Sequence, residues 1–165
     1  MKEGGREHDL TFDQTTGTWL KFTKASKAGY VVGFETGVPA LEPGLPLEYL
    51  GRLSLQNEGF GDAVVFVGIG GDRYQPRIIT RQPDVPGEDA SYDDIRRMMT
   101  ECLGFDALAE EFLLGYADSL AFIREDIAVF DLRPANVVRT AEGLIVPIDC
   151  IPVRLRAAAR LILGK

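Results

Sequence analysis

Leu10–Asp13 and Gly17–Thr23 carry β-forming residues with near alternation, and Gln14-Thr-Thr-Gly17 joins them. This pattern predicts a β-hairpin. Along the second run Trp19, Lys21 and Thr23 fall on one face, and Leu20 and Phe22 on the other. Ala28–Phe34 predicts another short strand, and Gly37–Gly44, with two prolines and two glycines, predicts a loop. Pro46 suits the first turn of a helix over Leu47–Gln56, with Tyr49, Leu50 and Leu53 as its buried stripe. Glu48 and Arg52 stand four apart, the spacing of a surface ion pair that stabilises a helix by ~0.3–0.5 kcal/mol. Ala63–Ile69 is a nearly continuous apolar run and predicts a central strand. Gly68-Ile-Gly-Gly71 then reads as a tight turn; no helix pattern follows, so the context of a phosphate-binding fingerprint is missing. Pro76–Arg81 is the next strand, with Pro76 at its start or edge. Together these runs predict an antiparallel sheet of four or five strands.

Gln82–Ala90, with two prolines, a glycine and three acids, is the clearest linker. Ser91 caps a helix reaching Gly104, with Asp94 returning the hydrogen bond. Ile95, Met98, Met99, Cys102 and Leu103 trace its apolar face. Cys102 is read there as core filler, because the sole histidine is His8 and no activating partner is visible. A weaker helix is expected over Asp106–Leu113. Ser119–Ile123 fits either strand or helix, and Arg124–Asp126 turns the chain. Ile127–Phe130 predicts a short buried strand, followed by a loop, Asp131–Asn136, that contains Pro134. Val137–Arg139 and Leu144–Ile148, joined by Thr140–Gly143, predict a second hairpin. The outer ends of an antiparallel hairpin meet, so Asn136 comes close to Asp149, with Asp131 one short loop away. Two carboxylates and an amide there suit a hard, oxygen-loving cation. Val153–Lys165 sets Arg154, Arg156, Arg160 and Lys165 against Leu155, Leu161 and Leu163, an amphipathic C-terminal helix. It packs on the small lobe or is a truncated tail; on the other reading it lies at a membrane surface.

The 165 residues fit one domain or two small lobes. The formal net charge of −7 makes a poor polyanion binder, so no nucleic acid partner is expected. Cys102 and Cys150 form no disulfide or zinc framework. No stretch approaches the ~20 apolar residues of a spanning helix, and the N-terminus lacks the apolar core of a signal peptide. These features predict a cytoplasmic protein with no membrane partner.

Asp131-Leu-Arg-Pro-Ala-Asn136 resembles the protein-kinase catalytic loop, Asp-Leu-Lys-Pro-x-Asn. Asp149, thirteen residues on across a hairpin, stands where kinases carry the metal-binding Asp of Asp-Phe-Gly. Val129 and Phe130 replace the His and Arg before the catalytic Asp, and Cys150-Ile151 replaces the Phe-Gly. The whole resembles the minimal kinase-like domains of polyvalent proteins from bacterial mobile elements. The resemblance implies an α+β, two-lobed kinase-like fold. Residues 1–82 would be a small lobe of antiparallel sheet plus one helix. Residues 83–165 would be a reduced, short helical second lobe with the catalytic loop and metal-binding hairpin.

It also implies ATP and magnesium as cofactors. Asp131 would orient the acceptor hydroxyl, and Asn136 and Asp149 would hold the metal. Lys21, with Lys24 as a second candidate, would hold nucleotide phosphates. Glu48 is then either the glutamate that braces Lys21 or the surface partner of Arg52. Thr80, Arg81 and Gln82 would form the adenine-binding hinge, or merely lead into a connecting loop. Three function classes stay open: a phosphotransferase acting on an unknown acceptor, a protein among the options; an inactive kinase-like module that binds nucleotide or protein; and an unrelated small α+β domain. No glycine-rich loop of the kinase type precedes the first hairpin, unless Gly4-Gly5 serves, and the peptide-binding half is absent.

Overall fold

A computed structural model describes residues 7–25, 27–116 and 118–164. Gly4 and Gly5 lie outside them. The chain is mixed α+β, its sheets mostly antiparallel, and it divides into two compact units. The first comprises residues 1–31 and 42–84, the second 32–41 and 85–165.

In the first unit β1 (His8–Asp13) and β2 (Thr18–Thr23) form the expected hairpin, in register from His8↔Thr23 to Asp13↔Thr18. β3 (Tyr30–Gly33) pairs with β4 (Ala40–Pro43), so half of the stretch expected as loop is a strand. Residues 32–41 of that ladder belong to the second unit. Helix α1 (Pro46–Phe60) starts at the predicted proline and runs four residues beyond Gln56, to a left-handed Gly61 cap. It buries Tyr49, Arg52, Leu53 and Gln56. Tyr49 and Leu53 pack with Val64 and Ile78 as the unit's apolar core.

β5 (Val65–Asp72) and β6 (Gln75–Pro83) complete a sheet of order β1-β2-β6-β5. Two expectations are corrected here. The apolar run 63–69 is not a central strand: β5 lies at the sheet edge, and Val65, Phe66, Val67 and Ile69 are exposed. β-branched residues report fitness for a pleated backbone, not position within the sheet. Nor is Gly68–Gly71 the turn, because it continues β5. The reversal comes at Arg73-Tyr74, where Asp72 Oδ1 accepts the backbone N–H groups of Tyr74 (2.7 Å) and Gln75 (2.9 Å). A side-chain carboxylate thus substitutes for the glycine.

The longer segment of the second unit opens with β7 (Glu88–Asp89), a strand inside the predicted linker, held by pairing to Arg139 and Val138. Helix α2 (Tyr92–Arg97) has the predicted cap: Asp94 N donates to Ser91 Oγ at 3.1 Å, and Ser91 Oγ donates to Asp94 Oδ2 at 2.8 Å. It then widens into a π-turn over Met98–Cys102, closed by Leu103 N donating to Met98 O at 3.0 Å. The wider turn shifts the helical phase. Met98 and Met99 stay buried, but Cys102 swings out to an exposed position, against its expected place in the core.

The helix expected over 106–113 is absent. β8 (Asp106–Ala107) pairs with β9 (Leu120–Arg124), and Glu110–Phe112 makes only a 3₁₀ turn. β10 (Ile127–Leu132) is the buried strand foreseen from its apolar run. β11 (Val137–Arg139) and β12 (Ile145–Pro147) form the second predicted hairpin, with Val137 opposite Pro147. β13 (Ile151–Arg154) was not foreseen: it pairs with β10, and the C-terminal helix shrinks to α3 (Ala157–Ile162). The second unit is therefore built on two sheets, β13-β10-β9-β8 and β12-β11-β7, rather than on helices. Among the described residues no helix is long and apolar enough to cross a membrane.

Candidate functional site

In the second unit the three predicted metal-site residues come together. β10 carries its chain past Phe130 into an irregular step between Val129 and Leu132, where Asp131 takes φ +59°. A non-glycine residue at positive φ is uncommon and clusters at functional sites. A 3₁₀ turn over Pro134–Asn136 then returns the chain, so that Asn136 faces Asp131. Asn136 Nδ2 donates to Asp131 O at 2.8 Å and to Asp131 Oδ2 at 3.1 Å. Across the hairpin the backbone N–H groups of Ile148 and Asp149 donate to Asn136 O at 2.9 and 3.3 Å. The outer ends of the β11–β12 hairpin meet as the sequence predicted.

Burial pushes the Asp131 carboxyl above the usual carboxylate range. The Asp149 charge pushes the same way, while Ser119, Arg133 and Asn136 oppose it. The Asp131 carboxyl and the Asn136 amide, whose N–H groups are committed to Asp131, offer hard oxygen donors beside the Asp149 backbone.

Three further residues complete the cluster. Ser119 Oγ donates to Asp131 Oδ1 at 2.8 Å and is buried. Arg133 Nε lies 3.8 Å from the same oxygen, and its guanidinium sits 4.0 Å over the Tyr116 ring. Gly115, at φ +93°, lies so near that a Cβ there would stand 2.5 Å from Asp131 Oδ1. Sequence reasoning missed all three. Ser119 opens a segment whose periodicity was ambiguous, and Arg133 stands in the motif without an assigned role. Gly115 belongs to no pattern.

Gly115→Ala is expected to destabilise the fold by about 1–3 kcal/mol, because alanine strains at that φ and its methyl group displaces the Asp131 carboxylate. Denaturant unfolding measures the first effect. An unaltered transition midpoint would show that the loop accommodates the methyl group.

The residues expected in the first unit divide differently. Lys21 pairs with Leu10 on one side and Thr80 on the other. Opposed residues share a face of an antiparallel sheet. Ile78, two residues before Thr80, packs with Tyr49 and Leu53 of α1, so Lys21 stands on the helix-covered face. Lys24, the second candidate, is bound in an ion pair with Asp9, which Arg77 also joins. Both cations hold Asp9 below the usual carboxylate range, Lys24 the more strongly.

Glu48 is exposed, and its carboxylate accepts the Leu45 backbone N–H at 2.8 Å as the α1 cap. That corrects both roles foreseen for it. Arg52, its expected surface partner, is instead buried and clamps Glu7, with Nη1 to Oε1 at 2.6 Å and Nη2 to Oε2 at 3.0 Å.

Thr80, Arg81 and Gln82 lie within β6, not in a loop. Thr80 and Arg81 pair with strands on both sides, and Gln82 with Trp19. Thr80 and Gln82 point into the interior, where Gln82 Nε2 donates to Asp62 Oδ1 at 2.5 Å, and Thr80 Oγ1 is buried without a hydrogen-bond partner. A hinge needs unpaired backbone groups, and the doubly paired positions have few to offer.

No family model, no curated protein and no solved structure matches the chain.

Proposed function

We propose that this protein is a compact kinase-like phosphotransferase using ATP and magnesium. The observation that carries the reading is the convergence of Asp131, Asn136 and Asp149. The three residue types and spacings of a kinase catalytic loop and metal site meet around one hydrogen-bonded turn. Phosphoryl transfer asks little covalent chemistry of a protein; positioning and charge neutralisation do most of the work. Asn136 and Asp149 would hold magnesium, which when bound neutralises charge on the nucleotide phosphates. Asp131, its carboxyl raised by burial, is suited to take the acceptor proton. Lys21 is the residue assigned to the phosphates.

One observation favours the second reading, a nucleotide-binding module without turnover. Both Asp131 oxygens already accept hydrogen bonds, Oδ1 from Ser119 and Oδ2 from Asn136. An acceptor hydroxyl must displace one of them or work through it.

The test is thermal shift with ATP, with and without magnesium. A ligand at about 100 times its dissociation constant adds about 2.7 kcal/mol of stability. The protein is expected to gain several degrees with both present. Asp149→Ala is expected to lose the magnesium-dependent part, and Lys21→Ala most of the ATP response. Absence of any shift at millimolar MgATP would sink both readings.

A further inference from the structure

The run Ala63–Ile69 has the composition of a strand with neighbours on both sides, yet within the first unit β5 has one neighbour, β6, and ends its sheet. Phe66 opposes Thr80 and Ile69 opposes Ile78; both partners are buried, Ile78 against Tyr49 and Leu53 of α1. Opposed residues share a face, so Phe66 and Ile69 stand on the helix-covered side. They are nonetheless 49% and 70% exposed, so α1 does not extend over the edge strand. Val65 opposes the exposed Arg81 on the other face and is exposed as well. Apolar side chains therefore flank a bare backbone edge on both sides. Natural edges are commonly closed to incoming strands by lysine, proline or an inward charge. Val65–Gly71 holds none of these, and its one protective feature is a bulge between Phe66 and Gly68.

Charge selects what this edge takes. Residues 63–83 carry three arginines against one aspartate, on a chain of net charge −7. Arg77 is committed to Asp9 and to Thr23 O, and the Asp72 carboxylate accepts two backbone N–H groups of its own turn. Arg73 and Arg81 are exposed, and among the described residues neither forms an ion pair. Arg81 opposes Val65 at one end of β5. Arg73 follows Asp72 at the other end, roughly 25 Å away at the rise of a strand. A second copy pairing with β5 about a two-fold axis would set the Arg73 of each copy toward the Arg81 of the other, like charge against like.

We propose that the β5 edge takes up an extended segment of another protein as an added strand, apolar along its middle and with a carboxylate near each end. The ladder of backbone hydrogen bonds holds the segment, and its alternate side chains meet Phe66 and Ile69 on one face and Val65 on the other. Arg73 and Arg81 pair with the terminal carboxylates and fix the register. Neither ATP nor Asp131 enters this recognition.

The test uses the full chain and a fluorescein-labelled peptide, Glu-Val-Thr-Val-Ile-Val-Thr-Val-Glu, with a second peptide in which lysine replaces both glutamates. Fluorescence polarisation reads the binding. The acidic peptide is expected to bind at least about tenfold more tightly than the lysine peptide, because two ion pairs are exchanged for two repulsions. Arg73→Glu combined with Arg81→Glu is expected to reverse that preference. Amide hydrogen exchange over Val65–Gly71 is expected to slow when the acidic peptide binds. Ile69→Glu, at an exposed position, is expected to abolish binding by placing a charge on the edge. Val67→Glu does the same from a second exposed position, should the first variant fail to fold. Four results overturn the proposal: no saturation by the acidic peptide at about 1 mM, equal affinity for both peptides, full binding in both glutamate variants, or unchanged exchange across β5. A dimer in sedimentation that Ile69→Glu dissolves would overturn it too, and would give the edge to a second copy.

Discussion

Asp131→Asn is expected to lower ATP turnover by about 10²–10⁴-fold, the range that a positioned general base contributes. MgATP binding, read by thermal shift, should persist, because the proposed metal ligands are Asn136 and Asp149. Asparagine is the informative replacement. Asp131 holds φ +59°, a conformation that Asn and Asp tolerate and alanine resists, so Asp131→Ala would mix backbone strain with lost chemistry. The pH dependence follows from the burial that raises this carboxyl. A base must be deprotonated, so turnover falls on acidification with a midpoint above the usual 3.8. Stability runs the opposite way for this group. The folded state holds the Asp131 proton more tightly than the unfolded chain does. Its contribution is therefore full below the unfolded pKa and declines as pH rises through the window up to the folded pKa. An acidic rate limb that survives Asp131→Asn unchanged would assign the proton transfer to another group.

The largest stability effect is expected at Arg52. Its guanidinium is buried, grips both oxygens of Glu7, and also donates from Nη1 to Tyr30 O at 2.8 Å. Glu7 in turn accepts the Tyr30 backbone N–H at 2.6 Å. Removing one partner of such a pair leaves the other charge buried and uncompensated, which costs about 3–5 kcal/mol. Arg52→Ala is therefore expected to lower the melting temperature by on the order of 10 °C. The double replacement Arg52→Met with Glu7→Gln removes both charges and should recover much of the loss, since a buried ion pair replaced whole is often close to neutral. Calorimetry of the two variants decides between an ion pair that clamps the strand and one that merely fills space. A drop under about 2 °C in the single variant would favour the second.

Several elements were legible in the sequence because their signals are local. The β1–β2 and β11–β12 hairpins follow from alternation about a turn, and Pro46 and Ser91 mark their helix starts by what proline and serine do to a backbone. That Asn136 and Asp149 meet was legible for the same reason: a hairpin of known length joins its own ends. Ser119 and Gly115 reach that site from the segment before β10, so no spacing within the motif pointed to them. Cys102 was misplaced because a π-turn, closed by Leu103 on Met98, breaks the 3.6-residue repeat on which its burial was inferred. Glu48 could be a cap, a brace or half of a surface pair at the same sequence spacing. Only the position of Leu45 N selects among them.

The sequence by itself determined which segments favour strand or helix, where the chain turns, and that the outer ends of the β11–β12 hairpin meet after β10. Tertiary structure alone decided that β5 is an edge rather than a centre, that 106–107 and 151–154 are strands, and that Arg52 turns inward to Glu7. The physical reason is that pattern records the preference of a residue for a kind of surface. Which neighbour supplies that surface is settled by contacts between residues far apart in the chain, and no local spacing contains them.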